Sequence, residues 1–283
     1  MRHSTVIERG YTRVMQHEPL NNSAATARRP TPARALVKAI GLMLELVAAM
    51  LILSLLFPRL QRTGKLDHTR RWARRVLAIL QVEVRCAGMV PSDCAGLVVA
   101  NHVSWLDILV IQSLMPGIFV AKAEVRRWPL FGRVAQGCST IFVRRSSSRS
   151  ARAMVDASVA AFGQGYSVVA FPEGTSTDGS DLGVFHANIF EAAIRSNTPV
   201  QPLTLRYLDA RTGLPSDAAL FIGETSLLSS LRAVMATSSL TTQVHVGACI
   251  DPSGQSRKSL AMATHQAIRG QLMALCETVP SVG

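Results

Sequence analysis

Paired cysteines are missing from this chain. Cys86, Cys94, Cys138, Cys249 and Cys276 form no CxxC motif and no metal-ligand spacing. That argues against a disulfide framework or a zinc ribbon, and it predicts a reducing compartment with most of the thiols in the core. No internal repeat is present. No Gly-x-Ser-x-Gly elbow surrounds Ser104, and Ser104 stands only two residues from His102, which sets a serine-hydrolase triad aside. His102 and Asp107 have no third ligand at a recognised spacing, so no metal site is expected. Acidic residues are scarce at the start: residues 1–75 carry fourteen Lys or Arg against four Asp or Glu, and the rest of the chain sixteen against fourteen. Such a basic arm suits nucleic acid or an anionic membrane, and its neighbour in sequence decides between them.

That neighbour is apolar. Residues 36–57 hold only Lys38, Glu45 and Ser54 among polar types. The length suits a membrane span of roughly 20 residues. Glu45 near its middle would cost about 2.5–3.5 kcal/mol on an insertion scale, so a span, a helix embedded in one leaflet and a buried helix of a soluble domain all stand. The segment is not a cleavable signal peptide, because the basic region before it is too long and no small-x-small site follows closely. Membrane lipid, not nucleic acid, is therefore the expected partner. Basic residues flank both ends, Arg28, Arg29, Arg34 and Lys38 against Arg59, Arg62, Lys65, Arg70 and Arg71. The bias is weak and leans toward a C-terminal domain on the cytoplasmic side of the inner membrane. Next, Asp67 to Gln81 interleaves four arginines with Trp72, Val76, Ile79 and Leu80, the pattern of a basic amphipathic helix for a membrane interface.

Three regions follow: a mostly disordered basic arm at 1–35, membrane-associated helices at 36–81, and an α/β domain at 82–283. In the last, strands are predicted at Val82–Arg85, Leu97–Ala100, Ile118–Ala121, Thr140–Val143, Ser167–Phe171, Val200–Arg206 and Gln243–Ile250. Helices are predicted at Trp105–Met115, Arg127–Gln136, Ser150–Gly163, Phe190–Ser196 and Ser259–Leu275. The alternation implies a largely parallel sheet flanked by helices.

Two strand-to-turn transitions carry the chemistry. Leu97-Val-Val-Ala runs into Asn101-His102-Val103-Ser104-Trp105-Leu106-Asp107. Ser104 reads as the helix N-cap, with Asp107 three residues on in the place of a capping-box acid. His102 then lies off the helix at the carboxyl end of a strand, where ligands bind in open α/β sheets. Five positions apart on one continuous helix, His102 and Asp107 would point about 140° apart, so they meet only if His102 precedes the helix. The second transition is Ser167-Val-Val-Ala-Phe171 into Pro172-Glu173-Gly174-Thr175-Ser176. Proline presets one turn angle and Gly174 permits a positive one. Two such turns at one sheet edge would build a single site.

These residues resemble the glycerophospholipid acyltransferases, which include the 1-acylglycerol-3-phosphate acyltransferases. The resemblance rests on four ordered blocks across residues 97–206: Asn101-His102 to Asp107; Gly137 through Phe142-Val143-Arg144-Arg145; Phe171 to Thr175; and Val200-Gln201-Pro202. It implies acyl transfer from acyl-CoA or acyl-carrier protein, as co-substrate with no further cofactor, to the free hydroxyl of a lysolipid. Histidine titrates near neutrality and suits removal of the hydroxyl proton; an Asp partner fixes its tautomer, as in catalytic triads. The resemblance further implies acceptor binding by Arg144, Arg145, Glu173, Gly174, Thr175 and Ser176, with substrate contact at Asn101, Lys122 and Pro202. Ser176 stands where the family commonly has Arg, and the run Glu-Gly-Thr-Ser-Thr-Asp-Gly is similar to the lyso-ornithine lipid acyltransferase branch, whose acceptor carries no phosphorus. A non-catalytic membrane lipid-binding protein is the reading from a different class.

Overall fold

Seven strands make one sheet, and their order explains where the two turns end up. The computed structural model describes residues 32–90, 95–144, 147–223, 225–237 and 239–277. The apolar helix α1 (Pro32–Leu51) continues through a π-helical turn, Ile52–Leu56, and leads to α2 (Arg62–Leu80). Then come β1 (Val82–Ala87), β2 (Leu97–Ala100), α3 (Leu106–Leu114), β3 (Ile118–Lys122), α4 (Phe131–Gly137) and β4 (Ile141–Val143). The second half supplies α5 (Ser148–Gly163), β5 (Val168–Ala170), α6 (Phe190–Ser196), β6 (Val200–Asp209), α7 (Leu227–Ala236), β7 (Leu240–Val246) and α8 (Arg257–Glu277). Most of the predicted basic arm lies outside the described residues.

The strands lie in the order β1-β7-β6-β2-β5-β3-β4. All pairings are parallel except β6 with β7. The sheet is therefore mixed. After Asp209 the chain, including the unpredicted α7, stays at the edge where β6 ends; Leu240 re-enters opposite Asp209 and runs back. This also shifts β7 ahead of its predicted span, leaving Ile250 with only an isolated bridge to Val200.

β2 sits between β5 and β6, and all four of its residues are fully buried. Val98 and Ala100 join the core under α2 and α3, whereas Leu97 and Val99 join the core under α5, α6 and α8. A strand covered on both faces has no polar positions to spare, hence the unbroken apolar run. Burying each such side chain is worth about 1.5–3 kcal/mol, so the sheet's centre is its firmest part and the natural mount for a site.

The N-terminal helices sit against this domain. One helix, Ala33–Arg59, is long and apolar enough to cross a membrane by length and composition. Its outward residues include Leu36, Val37, Leu44 and Leu55, each about half exposed or more. Its inward residues touch the domain along its length. Lys38 Nζ donates to the Thr237 carbonyl at 3.4 Å, and Arg75 of α2 binds Glu45 at 2.6 Å. Near the helix end, Leu53 packs so closely on α4 that a Cβ at Gly137 would stand 2.9 Å from it. Glu45 is thus a paired charge. α2 buries Ala73, Val76, Leu77 and Leu80 on the domain and ends at Gln81, which takes a left-handed conformation (φ 60°) to return N–H bonds to the last turn. Its arginines are largely external, but Arg74 caps α3 through the Ser113 carbonyl at 3.1 Å.

The thiols are not mainly core residues. Cys86, Cys249 and Cys276 are exposed, because they fall at the end of edge strand β1, just past β7 and in the last turn of α8. Cys138 is the one that burial affects most, its thiol pushed up to about 11.

Candidate active site

The register of β2 and β5 sets Val99 opposite Ala170, so the chain leaves both strands side by side at one sheet edge. Two turns far apart in sequence then share backbone contacts. Phe171-Pro172-Glu173-Gly174 closes on a Gly174 N–H bond to the Phe171 carbonyl at 3.0 Å, with Gly174 at φ +67°, a conformation that suits glycine. The turn presents Glu173 to the other loop.

Glu173 is almost wholly buried, at 6% exposure. One carboxylate oxygen accepts the His102 N–H at 2.8 Å and the other the Gly183 N–H at 2.8 Å. Burial raises its pKa, and the two backbone donors oppose that rise without cancelling it. Each oxygen thus holds a backbone N–H, and Glu173 staples the histidine loop to its own turn.

His102 lies outside the helix, as its spacing from Asp107 requires. Its Nδ1 stands 2.8 Å from Asp107 Oδ2, and the ring stacks on Phe171 at a centroid distance of 4.1 Å and an interplanar angle of 13°. Asp107 is fully buried. Its Oδ2 also accepts the Val103 and Ser104 N–H groups at 2.8 and 2.9 Å, and its Oδ1 accepts the Tyr207 hydroxyl at 2.7 Å. With three other donors converging on it, the carboxylate acts as acceptor toward the imidazole too. The proton then sits on Nδ1, leaving Nε2 as an outward base on a side chain 21% exposed.

The cap follows the expected box. α3 begins at Leu106, and Trp105 before it is already helical in conformation (φ −61°, ψ −22°). Ser104 Oγ accepts the Leu106 N–H at 3.3 Å. Asp107, in the first turn, reaches back to accept the Ser104 N–H at 2.9 Å, the reciprocal bond of a capping box with Asp in the place of Glu. The same reach brings it to His102.

Tyr207 is the residue the sequence reading missed. Asn101 explains how it arrives. The Asn101 carboxamide bonds both the N–H and the carbonyl of Leu205, at 2.8 and 2.9 Å, locking the end of β2 to β6. Two residues on, Tyr207 shares the face of Leu205 and points its hydroxyl at the first turn of α3. Burial, then the Asp107 charge, hold its pKa well above the ordinary tyrosine range, so it remains an O–H donor. A hydroxyl in the otherwise apolar core of a strand was the available signal.

The other predicted residues are dispersed. Asn101 is fully buried, its carboxamide bonded to Leu205 on both atoms, and Pro202 is buried within β6, its carbonyl accepting from Gly247 at 3.0 Å. Ser176 donates its hydroxyl to the Phe221 carbonyl, and Thr175 is exposed beside it. The segment around them is tied to the histidine loop: Thr177 N–H bonds the His102 carbonyl at 2.8 Å and Phe221 N–H bonds the Val103 carbonyl at 3.1 Å. Lys122 ends β3 and Arg144 follows β4, two and three strands from β2, roughly 10 and 14 Å along the edge. Both are exposed. Arg145 lies outside the described residues.

The structure thus brings a stacked imidazole and a fully buried aspartate together at the edge of a mixed sheet flanked by helices, an arrangement able to take a proton from a hydroxyl. The sequence model of the acyltransferase domain matches residues 81–206, which contain His102, Asp107, Glu173 and Gly183 and end one residue before Tyr207. The lyso-ornithine lipid O-acyltransferase of Pseudomonas aeruginosa is 38% identical over 201 residues, covering 71% of this chain and 76% of that protein. The 1-acyl-sn-glycerol-3-phosphate acyltransferase of Neisseria meningitidis is 33% identical over 193 residues, covering 67% and 73%. In fold, the crystal structure of the 1-acyl-sn-glycerophosphate acyltransferase PlsC from Thermotoga maritima superposes with a TM-score of 0.65 at 19% identity, over 88% of this chain and 97% of that one. The chain belongs to the acyltransferase family.

Proposed function

We propose that this acyltransferase moves an acyl chain from a coenzyme A or acyl-carrier-protein thioester to the free hydroxyl of a lysolipid at a membrane surface. The observation that carries the reading is the 2.8 Å contact from His102 Nδ1 to a fully buried Asp107, which leaves Nε2 as the base. As the acceptor oxygen attacks the thioester carbonyl, its proton passes to Nε2. The new C–O bond forms, the C–S bond breaks, and the imidazolium returns the proton to the departing thiolate. Asp107 stabilises the transient imidazolium, and no covalent enzyme intermediate arises.

For the acceptor, Lys122 and Arg144 stand along the edge on which a head group would extend from His102, Arg145 is next in sequence, and arginine suits an anion through forked hydrogen bonds. The engagement of Ser176 with Phe221, in place of an arginine, supports lyso-ornithine lipid as the second reading. The relative named for that activity is 38% identical. Contacts of Lys38 and Leu53 with the domain and of Glu45 with α2 support a helix lying within one leaflet, and the flanking charges support a cytoplasmic site.

The test is a panel of lysophosphatidic acid and lyso-ornithine lipid with labelled acyl-CoA and acyl-carrier protein. His102→Ala is expected to lower turnover at least about a thousandfold while fold and vesicle association persist. Turnover retained in purified His102→Ala would sink the mechanism, and no product from any acceptor would sink the activity.

A further inference from the structure

The turn between β3 and α4 is built to hold apolar side chains outward. Phe131 N–H bonds the Pro129 carbonyl at 2.7 Å across Leu130, whose φ of 63° and ψ of −55° make a three-residue γ-turn of the rare, strained kind. Leucine gains nothing intrinsic from this conformation; strain of this sort persists only where the surroundings enforce it. Here they do. Gly132 N–H bonds the Trp128 carbonyl at 2.9 Å, and a Cβ at Gly132 would stand 2.3 Å from the Arg126 carbonyl oxygen, so only glycine lets the turn close. The result is a tip with Leu130 42% and Phe131 40% exposed. Arg126, Arg127 and Arg133 surround it, all exposed, against a single acid, Glu124.

The tip stands at a definite place. β3 delivers it to the edge that carries His102, with Phe119 of β3 against Phe171 at 6.1 Å and Phe171 against the His102 ring. At the other end of α4, Gly137 touches Leu53 of the apolar N-terminal helix. Apolar side chains ringed by cations, contiguous with an apolar helix, match an anionic bilayer surface in both hydrophobicity and charge.

We propose that residues 126–133 form a second membrane contact, in which Leu130 and Phe131 enter the acyl-chain region and Arg126, Arg127 and Arg133 bind lipid phosphates. The inference rests on the membrane reading given above. With the N-terminal helix it gives two separate contacts, which fix the tilt of the domain and so hold the mouth beside His102 at the height of lipid head groups. A single helix would leave that tilt free.

The experiment places a benzophenone amino acid at Phe131, or at Met262 on the exposed face of α8 (63% exposed), in the full chain bound to phosphatidylglycerol–phosphatidylethanolamine vesicles. After irradiation, position 131 is expected to yield lipid adducts about tenfold or more above position 262. Equal adducts in protein that floats with the vesicles would overturn the second contact while leaving the membrane reading intact. Crosslinks between protein chains at 131 would overturn it in favour of a self-association surface. Protein that does not float would remove the membrane reading and this contact with it. Leu130→Ser with Phe131→Ser supplies an independent readout: turnover is expected to fall severalfold on lysolipid in vesicles and to hold on a short-chain lysolipid in solution. An equal loss on both would also overturn the proposal.

Discussion

Tyr207→Phe removes one oxygen and nothing else, and it asks whether Asp107 must be held from both sides. Asp107 Oδ1 accepts the phenol at 2.7 Å while Oδ2 carries His102 and two backbone N–H groups. A hydrogen bond to a charged group is worth about 1.5–3 kcal/mol. Phenylalanine fills the same space, so no cavity term is added, and the unfolding free energy should fall by about that amount. The carboxylate keeps its anchors on Oδ2 but gains freedom to rotate about them. If half to all of the bond's worth is felt in the transition state, kcat falls about three- to a hundredfold, with KM little changed, because the phenol is buried away from any substrate. A purely structural tyrosine would lower stability alone. A positioning one also lowers kcat. The assay is initial rate at saturating substrate, paired with urea unfolding. Wild-type kcat in a destabilised Tyr207→Phe would refute the positioning role.

Further outcomes concern the scaffold. Glu173→Gln keeps one acceptor but turns an amide N–H₂ toward a backbone donor, so it should lower kcat about tenfold or more through the His102 loop. The folded pKa of Glu173 is raised by burial; the folded state therefore holds the proton more tightly than the unfolded one, and this residue's contribution to stability falls as pH rises from the ordinary carboxylate range through the raised value. Urea midpoints of wild type minus Glu173→Gln should decline across that window, and a difference independent of pH would contradict the burial argument. Asn101→Ala orphans the N–H and carbonyl of Leu205 and should cost about 2–4 kcal/mol with KM unchanged in the folded protein. A KM shift without loss of stability would return Asn101 to the substrate. Gly132→Ala should destabilise the β3–α4 turn, seen as faster amide exchange at residues 126–133 with the dyad's rate on soluble substrate retained.

What could be read from sequence was whatever one stretch decides for itself. The run Leu97-Val-Val-Ala required two covered faces, and the Pro172 and Gly174 pair required a tight turn, since each depends on local sterics and burial. The five-residue spacing of His102 and Asp107 even required the histidine to stand off the helix. Decisions shared between distant stretches were hidden. Ser104 and Asp107 formed the expected capping box, yet the phenol that holds the far oxygen of Asp107 came from another strand. Glu173, expected to bind an acceptor, also holds the His102 N–H from the neighbouring strand end and the Gly183 N–H from its own loop. Tyr207 stands a hundred residues from its partner, and only the β2–β6 register joins them. The antiparallel return of β7 depended on where the chain re-entered the sheet, which no periodicity encodes.

The ties between the Ser176 segment and the histidine loop have a consequence for how the enzyme can change. Thr177 and Phe221 hold the carbonyls of His102 and Val103, and Ser176 holds Phe221. The stretch that family resemblance associates with acceptor choice is therefore also part of the mounting of the base. If acceptor choice resides in that stretch, selectivity and speed are mechanically linked. A substitution that retunes the acceptor will disturb the base unless a compensating change restores the mounting, so a shift from one lysolipid to another should proceed through slow intermediates and by paired substitutions, not by single steps.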